Sequence, residues 1–265
     1  MSRLVHAMLA SSPDRGALAG ALLSAERTVV LTGLQLGARE DESVVHSRSA
    51  RARRATLEAL LTEPSLFWDA YYPLALAIAA RAPGPGHLAL ADLERAGVIS
   101  SVITQAVDRL HARAGNRDVV EVYGNALSAV CERCGERYSL PETGALIERA
   151  ADGVPRCTTP ECAFPLRPSG TLWGEPLPGG AVERAWRLAA HADLFLILDS
   201  ELRTVPISLL PSVPLTRGTP LVVVGETPTQ YDRYAEIIIR APSDAVLEEV
   251  ARLVREDLGA DASTE

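Results

Sequence analysis

A chain of 265 residues with 47% hydrophobic content is long enough for one large domain, or a domain plus an insert, and rich enough to bury a core. Its formal net charge of −8 argues against general nucleic-acid binding, and no apolar run approaches the ~20 residues of a membrane span. The longest candidate, Leu74 to Ala80, stops at Arg81, and Asp14, Arg15 and Gly16 interrupt any signal-peptide core, so the chain reads as soluble and cytoplasmic, with no nucleic-acid and no membrane partner.

In chain order, a β-branched run at Thr28–Thr32 predicts the first strand, followed by the turn Gly33-Leu34-Gln35-Leu36-Gly37. From about Glu42 to Pro85 the pattern is helical, which predicts a small cap closed by Pro83-Gly84-Pro85-Gly86. A helix is expected at Gly86–Ala96, then strands at Val98–Thr104 and Val119–Tyr123. Helix Val182–His191, strands Leu194–Leu198, Leu221–Val224 and Ile237–Ile239, and helix Ser243–Leu258 follow, with a small acidic tail expected to fray. Alternation of strand and helix predicts an α/β fold with a parallel sheet covered on both faces, and the fully apolar Leu194-Phe195-Leu196-Ile197-Leu198 fits burial on both sides. Ligands of such sheets bind beyond the carboxyl ends of the strands.

All 26 basic residues are arginine. A GC-rich genome and avoidance of lysine-directed self-modification both account for this. The cluster Arg48, Arg51, Arg53 and Arg54 flanks Glu40, Asp41 and Glu42 and reads as a solvated helix face in preference to a phosphate-binding patch.

Between Ala126 and Ser169 lie the four cysteines, Cys131-x2-Cys134 and Cys157-x4-Cys162, separated by 22 residues. Two short pairs form two knuckles, each offering two thiolates to a tetrahedral zinc ion. Gly135 supplies a residue tolerant of positive φ for the first knuckle. Two disulfides are the alternative, disfavoured because nothing indicates secretion. Four sulfur ligands fill the coordination sphere, so the zinc is expected to be structural.

The segment Val102-Ile103-Thr104-Gln105-Ala106-Val107-Asp108-Arg109-Leu110-His111-Ala112-Arg113-Ala114-Gly115 resembles the sirtuin stretch T-Q-N-I-D-x-L-H-x-R-A-G. Val119 to Gly124 is similar to the next strand, which ends in the family's H-G pair, and the cysteines follow in family order. Leu166-Arg167-Pro168 with Trp173-Gly174-Glu175-Pro176-Leu177-Pro178 resembles R-P…F-G-E-x-L-P. Asp193 to Pro206 resembles the strand and loop holding G-T-S-L…P, and Pro228, Thr229, Asp232 and Ala235 match the last strand region. The resemblance covers residues 26 to 255. It implies a Rossmann-like large domain (1–41, 86–125 and 170–265), a helical insert (42–85) and a zinc module (126–169), with a cleft that in the family binds NAD and an acylated lysine. It also implies that Val107 and Asp108 face the nicotinamide amide, a turn or cap role for Asp108 being equally open, and that His111 is structural. Gly33, Gln105, Val107, Asp108 and Ser200 are the cofactor-binding candidates it implies.

Five positions depart from the family pattern and predict weak or lost NAD binding and catalysis. Gln35 stands for the second glycine of G-A-G-I-S, and phosphate loops need small residues there. Ala106 replaces an Asn that holds the ribose. Tyr123 replaces the His that activates a ribose hydroxyl, and tyrosine, with a reference pKa near 10 against about 6.5 for His, is a poor base at neutral pH. Asp199-Ser200-Glu201 replaces G-T-S, setting carboxylates where phosphates would lie, unless Arg203 compensates, with Asp199 and Glu201 otherwise pointing to solvent. Gly225 replaces an Asn at the adenosine ribose, and Glu226 adds charge. Counted as five independent changes, these point to a zinc-stabilised binding or regulatory protein with a protein partner that has lost lysine deacylase activity. The alternatives are an enzyme with altered chemistry in an acidic pocket of Asp108, Asp199, Glu201 and Tyr123, and an atypical NAD-dependent deacylase or ADP-ribosyl transferase with Tyr123 and Asp108 as catalytic residues.

Overall fold

The computed structural model describes residues 12–34, 36 and 55–261. Four apolar or β-branched runs of four or five residues and two of three make the main sheet: β1 (Thr28–Thr32), β2 (Ser101–Thr104), β3 (Val119–Glu121), β7 (Leu194–Leu198), β8 (Leu221–Val224) and β9 (Ile237–Ile239). Every pairing is parallel, and the order is β3-β2-β1-β7-β8-β9. Strands buried on both faces need no polar alternation, which is why β1, β2, β7 and β8 are buried at every position.

Helices α1 (Ser12–Ser24), α4 (Pro85–Arg95) and α9 (Ser243–Asp261) cover one face. They bring Leu18, Leu22, Leu90, Leu93, Val246, Leu247, Val250 and Val254 against Val30, Leu196, Leu198, Val222 and Val224. On the other face Ala185 and Ala189 of α7 (Gly179–His191), together with Ile207 and Leu210 just before α8 (Ser212–Thr216), meet Val29, Leu31, Ile103, Phe195, Ile197 and Val223. Each such side chain contributes about 1.5–3 kcal/mol of burial.

A second, three-stranded antiparallel sheet has the order β5-β4-β6, from β4 (Ser128–Cys131), β5 (Arg137–Ser139) and β6 (Leu166–Pro168). Ser139 then caps α6 (Leu140–Arg149) reciprocally with Glu142, the Ser139 amide donating to the Glu142 carboxylate at 2.7 Å. Helices α2 (Leu57–Thr62) and α3 (Pro64–Ala79) pack on this sheet. Phe67 and Trp68 of α3 share one apolar cluster with Ala129, Cys131, Tyr138, Cys157, Cys162 and Leu166. The helical segment and the cysteine segment thus have a common core.

The expected strands at 98–104 and 119–123 are shorter than the apolar runs, because Val98 and Ile99 are buried in the turn that ends α4 and Tyr123 lies in the loop beyond β3. Helix α4 begins one residue earlier than expected, with Pro85 at its first position, where a missing N–H and a fixed φ suit a helix start. Helix α9 runs to Asp261, so the segment just after Leu258 is helical where fraying was expected. None of the described helices is long and apolar enough to cross a membrane. The expected basic face at Arg48–Arg54, and Gln35, lie outside the described residues.

Candidate functional site

Cys131 ends β4, and the Gly135 amide turns back to its carbonyl at 2.8 Å with Gly135 at φ 79, which builds the first knuckle. The second is closed by the Cys157 amide on Phe164 O at 2.8 Å and the Cys162 amide on Thr159 O at 3.0 Å. All four sulfur atoms lie within 4.8 Å of one another, with Cys131–Cys162 and Cys134–Cys157 separations of 3.5 Å. Thiolates at about 2.3 Å around a tetrahedral ion would be separated by roughly 3.8 Å, so the set fits zinc. A bonded disulfide needs about 2.0 Å, and the four thiols are free. The Tyr138 hydroxyl donates to Cys157 Sγ at 3.2 Å and accepts from the Thr158 amide at 2.8 Å, orienting a ligand from outside the coordination sphere. Three of the cysteines are buried and Cys134 is exposed, a closed arrangement with no position left for water or substrate.

The sheet order reverses between β1 and β7, the place where sheets of this architecture bind ligands. From β1 the chain proceeds towards β2 on one side, and from β7 towards β8 on the other. The residues just past these strands are Gly33 and Asp199. The Gly33 amide donates to Leu198 O at 2.8 Å, and a Cβ on Gly33 would lie 1.8 Å from Asp199 O, so only glycine fits.

Several predicted residues converge here. Gln105 follows β2 and Ser200 follows Asp199; both are buried, and the Ser200 hydroxyl donates to Gln105 Oε1 at 2.6 Å across the switch point. The Tyr123 hydroxyl is hydrogen-bonded by the side chains of Gln105 and Thr204, and burial raises its pKa above the ordinary tyrosine value. Thr204 went unsingled in the sequence; its only signal is its place two residues before Pro206 in the loop after β7. Ala106 is buried, its amide bonded to Thr104 Oγ1 at 3.0 Å, and the Val107 carbonyl accepts from the Ala126 amide at 2.8 Å.

Asp108 is buried at the start of α5 (Leu110–Ala114), where Oδ1 accepts from the Leu110 amide at 2.9 Å and Oδ2 lies 3.6 Å from the Arg81 guanidinium. Below it, His111 Nε2 is 3.0 Å from Thr32 Oγ1, and the His87 ring lies 4.8 Å from the His111 ring. Burial, then the neighbouring His87, pushes His111 down to about 3; burial also lowers His87. His87 escaped sequence reasoning because only folding brings it to His111.

The expectation that Asp199 and Glu201 point to solvent holds for one of them. Glu201 is exposed and pairs with Arg203 at 2.9 Å. Asp199 turns inward at φ 44, and burial raises its carboxyl to about 6, against an opposing bond from Ser243 and with Asp244 and Glu226 pushing the same way as burial. A Cβ on Gly225 would come 2.7 Å from Asp199 Oδ1. The two substitutions are therefore coupled: the Asp199 carboxyl occupies the space that a side chain at 225 would need. Counting them as independent is corrected by this contact.

Arg167 joins the two segments R-P and G-E, reaching Glu175 at 2.6 Å and Glu132 at 3.1 Å, while Glu175 also accepts from the Leu172 amide at 2.7 Å.

The Sir2 family model matches residues 37–206. NAD-dependent protein deacetylase 1 of Pyrobaculum aerophilum is 39% identical over 184 residues, 69% of this chain and 70% of the relative. NAD-dependent protein deacetylase 1 of Geobacillus kaustophilus is 36% identical over 225 residues, 82% and 89% of the two chains. Among solved structures, Sir2 bound to acetylated peptide superposes with a TM-score of 0.80 at 29% identity, covering 92% of this chain and 98% of that one. A Sir2 His-to-Tyr mutant with p53 peptide and NAD gives 0.78 at 29% identity, over 93% and 99%. The parallel sheet, the four-cysteine module, the ordered sequence blocks and these matches agree, and the chain belongs to the Sir2 family.

Proposed function

We propose that this protein is a zinc-stabilised sirtuin whose cleft binds a ligand and whose lysine deacylase chemistry is lost. The observation that carries the reading is the Tyr123 phenol. It stands at the position where the family places a histidine base, hydrogen-bonded to Gln105 and Thr204, with its pKa raised by burial. At neutral pH fewer than about one in 10³ such groups is ionised. Losing a general base lowers rates by about 10²–10⁴.

NAD, when bound, supplies the ribose hydroxyl that a base must activate. The residues of this chain offer a frame for a nucleoside at Gly33, Gln105 and Ser200, and among the described residues the nearby arginines Arg203 and Arg240 are already engaged. Arg203 is paired with Glu201, and Arg240 with Asp232 and the Gly225 carbonyl. Asp199, Glu226 and Asp244 give this end of the cleft a negative field. Such a field weakens a dianionic linker and leaves room for neutral groups.

A second reading keeps the activity named for the relatives, NAD-dependent deacetylation. It is favoured by the Sir2 His-to-Tyr mutant, whose structure holds peptide and NAD, so the exchange of these residue types is compatible with both ligands in that protein.

Turnover separates the two. Zinc-loaded protein with acetyl-lysine peptide and NAD is expected to release no deacetylated peptide at enzymatic rates; turnover of about 1 s⁻¹ or faster would sink the first reading. In Tyr123→His, a gain of at least ~10²-fold assigns the loss to the missing base, and no gain assigns it to the rest of the cleft.

A further inference from the structure

We propose that the outward face of α3 is a docking surface for a basic amphipathic helix of a protein partner. The surface lies on the helical segment, apart from the residues at the sheet reversal, and its role is independent of whether those residues turn over a substrate.

Helix α3 buries Phe67, Trp68, Ala70, Ala75 and Ile78. Leu66, Asp69, Pro73, Leu76, Ala77 and Ala80 follow one another at helical spacing and form a single stripe on the opposite side. A helix face turned to water is ordinarily polar. Helix α7 follows that rule, with Glu183, Arg184, Arg187 and His191 at its exposed positions. On α3 the one charge is Asp69, and Leu66 and Leu76 are 45% and 46% exposed. Leu61 of α2, five residues before Leu66, is 72% exposed. An apolar face left in water in this way marks a contact surface.

Shape and charge together define the occupant. From Leu66 to Ala80 the stripe runs about 21 Å at ~1.5 Å per residue, the length of four turns of one helix. A strip this narrow falls far below the ~800 Å² per partner that two folded domains bury. Small Ala77 and Ala80 beside large Leu66 and Leu76 leave room for the ridges of a second helix. The charges are of one sign. Residues 55–80 contain Glu58, Glu63 and Asp69, all exposed, and no basic residue. Among the described residues none pairs with the Asp69 carboxylate. Pro73 lies four positions on and has no N–H, so the Asp69 carbonyl also lacks the bond that a residue there would give. Carboxylate and carbonyl thus set two acceptor groups midway along an apolar stripe, where a guanidinium or ammonium fits and an acidic side chain is repelled. A second copy is the poorer occupant, because a two-fold axis sets the same acidic face against itself.

The test is fluorescence anisotropy of two labelled synthetic peptides, each of about 18 residues so that a helix can form, titrated with the zinc-loaded full chain. One peptide carries leucines at helical spacing with an arginine in the middle of the leucine stripe; the other carries glutamate in place of that arginine. The arginine peptide is expected to bind with a Kd of about 100 μM or tighter, and the glutamate peptide at least about tenfold more weakly. Asp69→Asn is expected to bring that ratio below about threefold, and salt at about 0.5 M to reduce it in the parent protein. Leu76→Gln is expected to weaken both peptides about tenfold, and Leu66→Gln repeats the comparison should that variant fold poorly. Equal affinity for the two peptides, binding unaffected by the leucine variants, or no binding at about 1 mM with folded protein overturns the proposal. Sedimentation of the parent protein at about 100 μM is expected to show a monomer. A dimer that Leu76→Gln dissociates would give this face to a second copy and overturn the partner helix.

Discussion

At Asp199 a side chain is held where the backbone favours none. A left-handed φ of 44 costs an L-residue roughly 1–2 kcal/mol, and a partly buried carboxyl with a raised pKa adds to the strain. Asp199→Gly is therefore expected to raise stability by about 1 kcal/mol, after allowing for the greater freedom of glycine in the unfolded chain. Urea midpoints of the two proteins at pH 7.5 measure it; a lower midpoint for the variant would mean that the carboxyl is anchored more favourably than its surroundings suggest. The family resemblance exposed Asp199 and Gly225 as departures. Their coupling was invisible, because the contact joins two strand ends 26 residues apart.

Among the elements, the cysteine module is the one whose four thiols fit a metal ion. Its sheet contains short strands of three and four residues, and its core is shared with Phe67 and Trp68 of α3. Structural zinc contributes folding free energy directly. Chelation is expected to open this core while the parallel sheet, with clusters on both faces, stays folded. Trp68 is 1% exposed, so its emission should shift to the red on chelation, and Cys134→Ser should show the shift at lower chelator concentration. An unchanged spectrum with zinc removed would sink the structural role. Cysteine spacing made the module legible in the sequence, whereas its packing on the helical segment was not, since Trp68 lies 63 positions before the first cysteine, Cys131.

Over the whole molecule, buried ionisable groups set how stability follows pH. His87 and His111 are buried neutral with lowered pKa values, His111 at about 3. The unfolded chain takes up those protons near pH 6.5, so their contribution is intact above 6.5 and is lost as pH falls towards 3. Asp199 works oppositely. Its folded value of about 6 exceeds the unfolded one, so the folded state takes up its proton first and gains stability as pH falls from 6 to about 4. Glu121, raised by burial, acts in the same sense as Asp199. Between pH 7 and 5 the protein is expected to lose stability, and Asp199→Asn to lose it more steeply, by up to about 1.4 kcal/mol per pH unit below 6. Urea unfolding at pH 7, 6 and 5 measures both slopes; identical slopes would remove Asp199 from the balance.

The sequence by itself determined the order of strands and helices, the parallel class of the sheet, the four-cysteine cluster and the family, because each is written in local pattern or in blocks that keep their order along the chain. The apolar run Leu194–Leu198 fitted a doubly buried strand, and the spacing of Cys131 to Cys162 favoured two metal knuckles over two disulfides. Only the tertiary structure decided which side chains share a space. It turned Asp199 inward over Gly225, paired Ser200 with Gln105 across the switch point, and stacked His87 beside His111. Those relations depend on distances between residues far apart in sequence, and on a competition between burial and hydrogen bonding that no local pattern records.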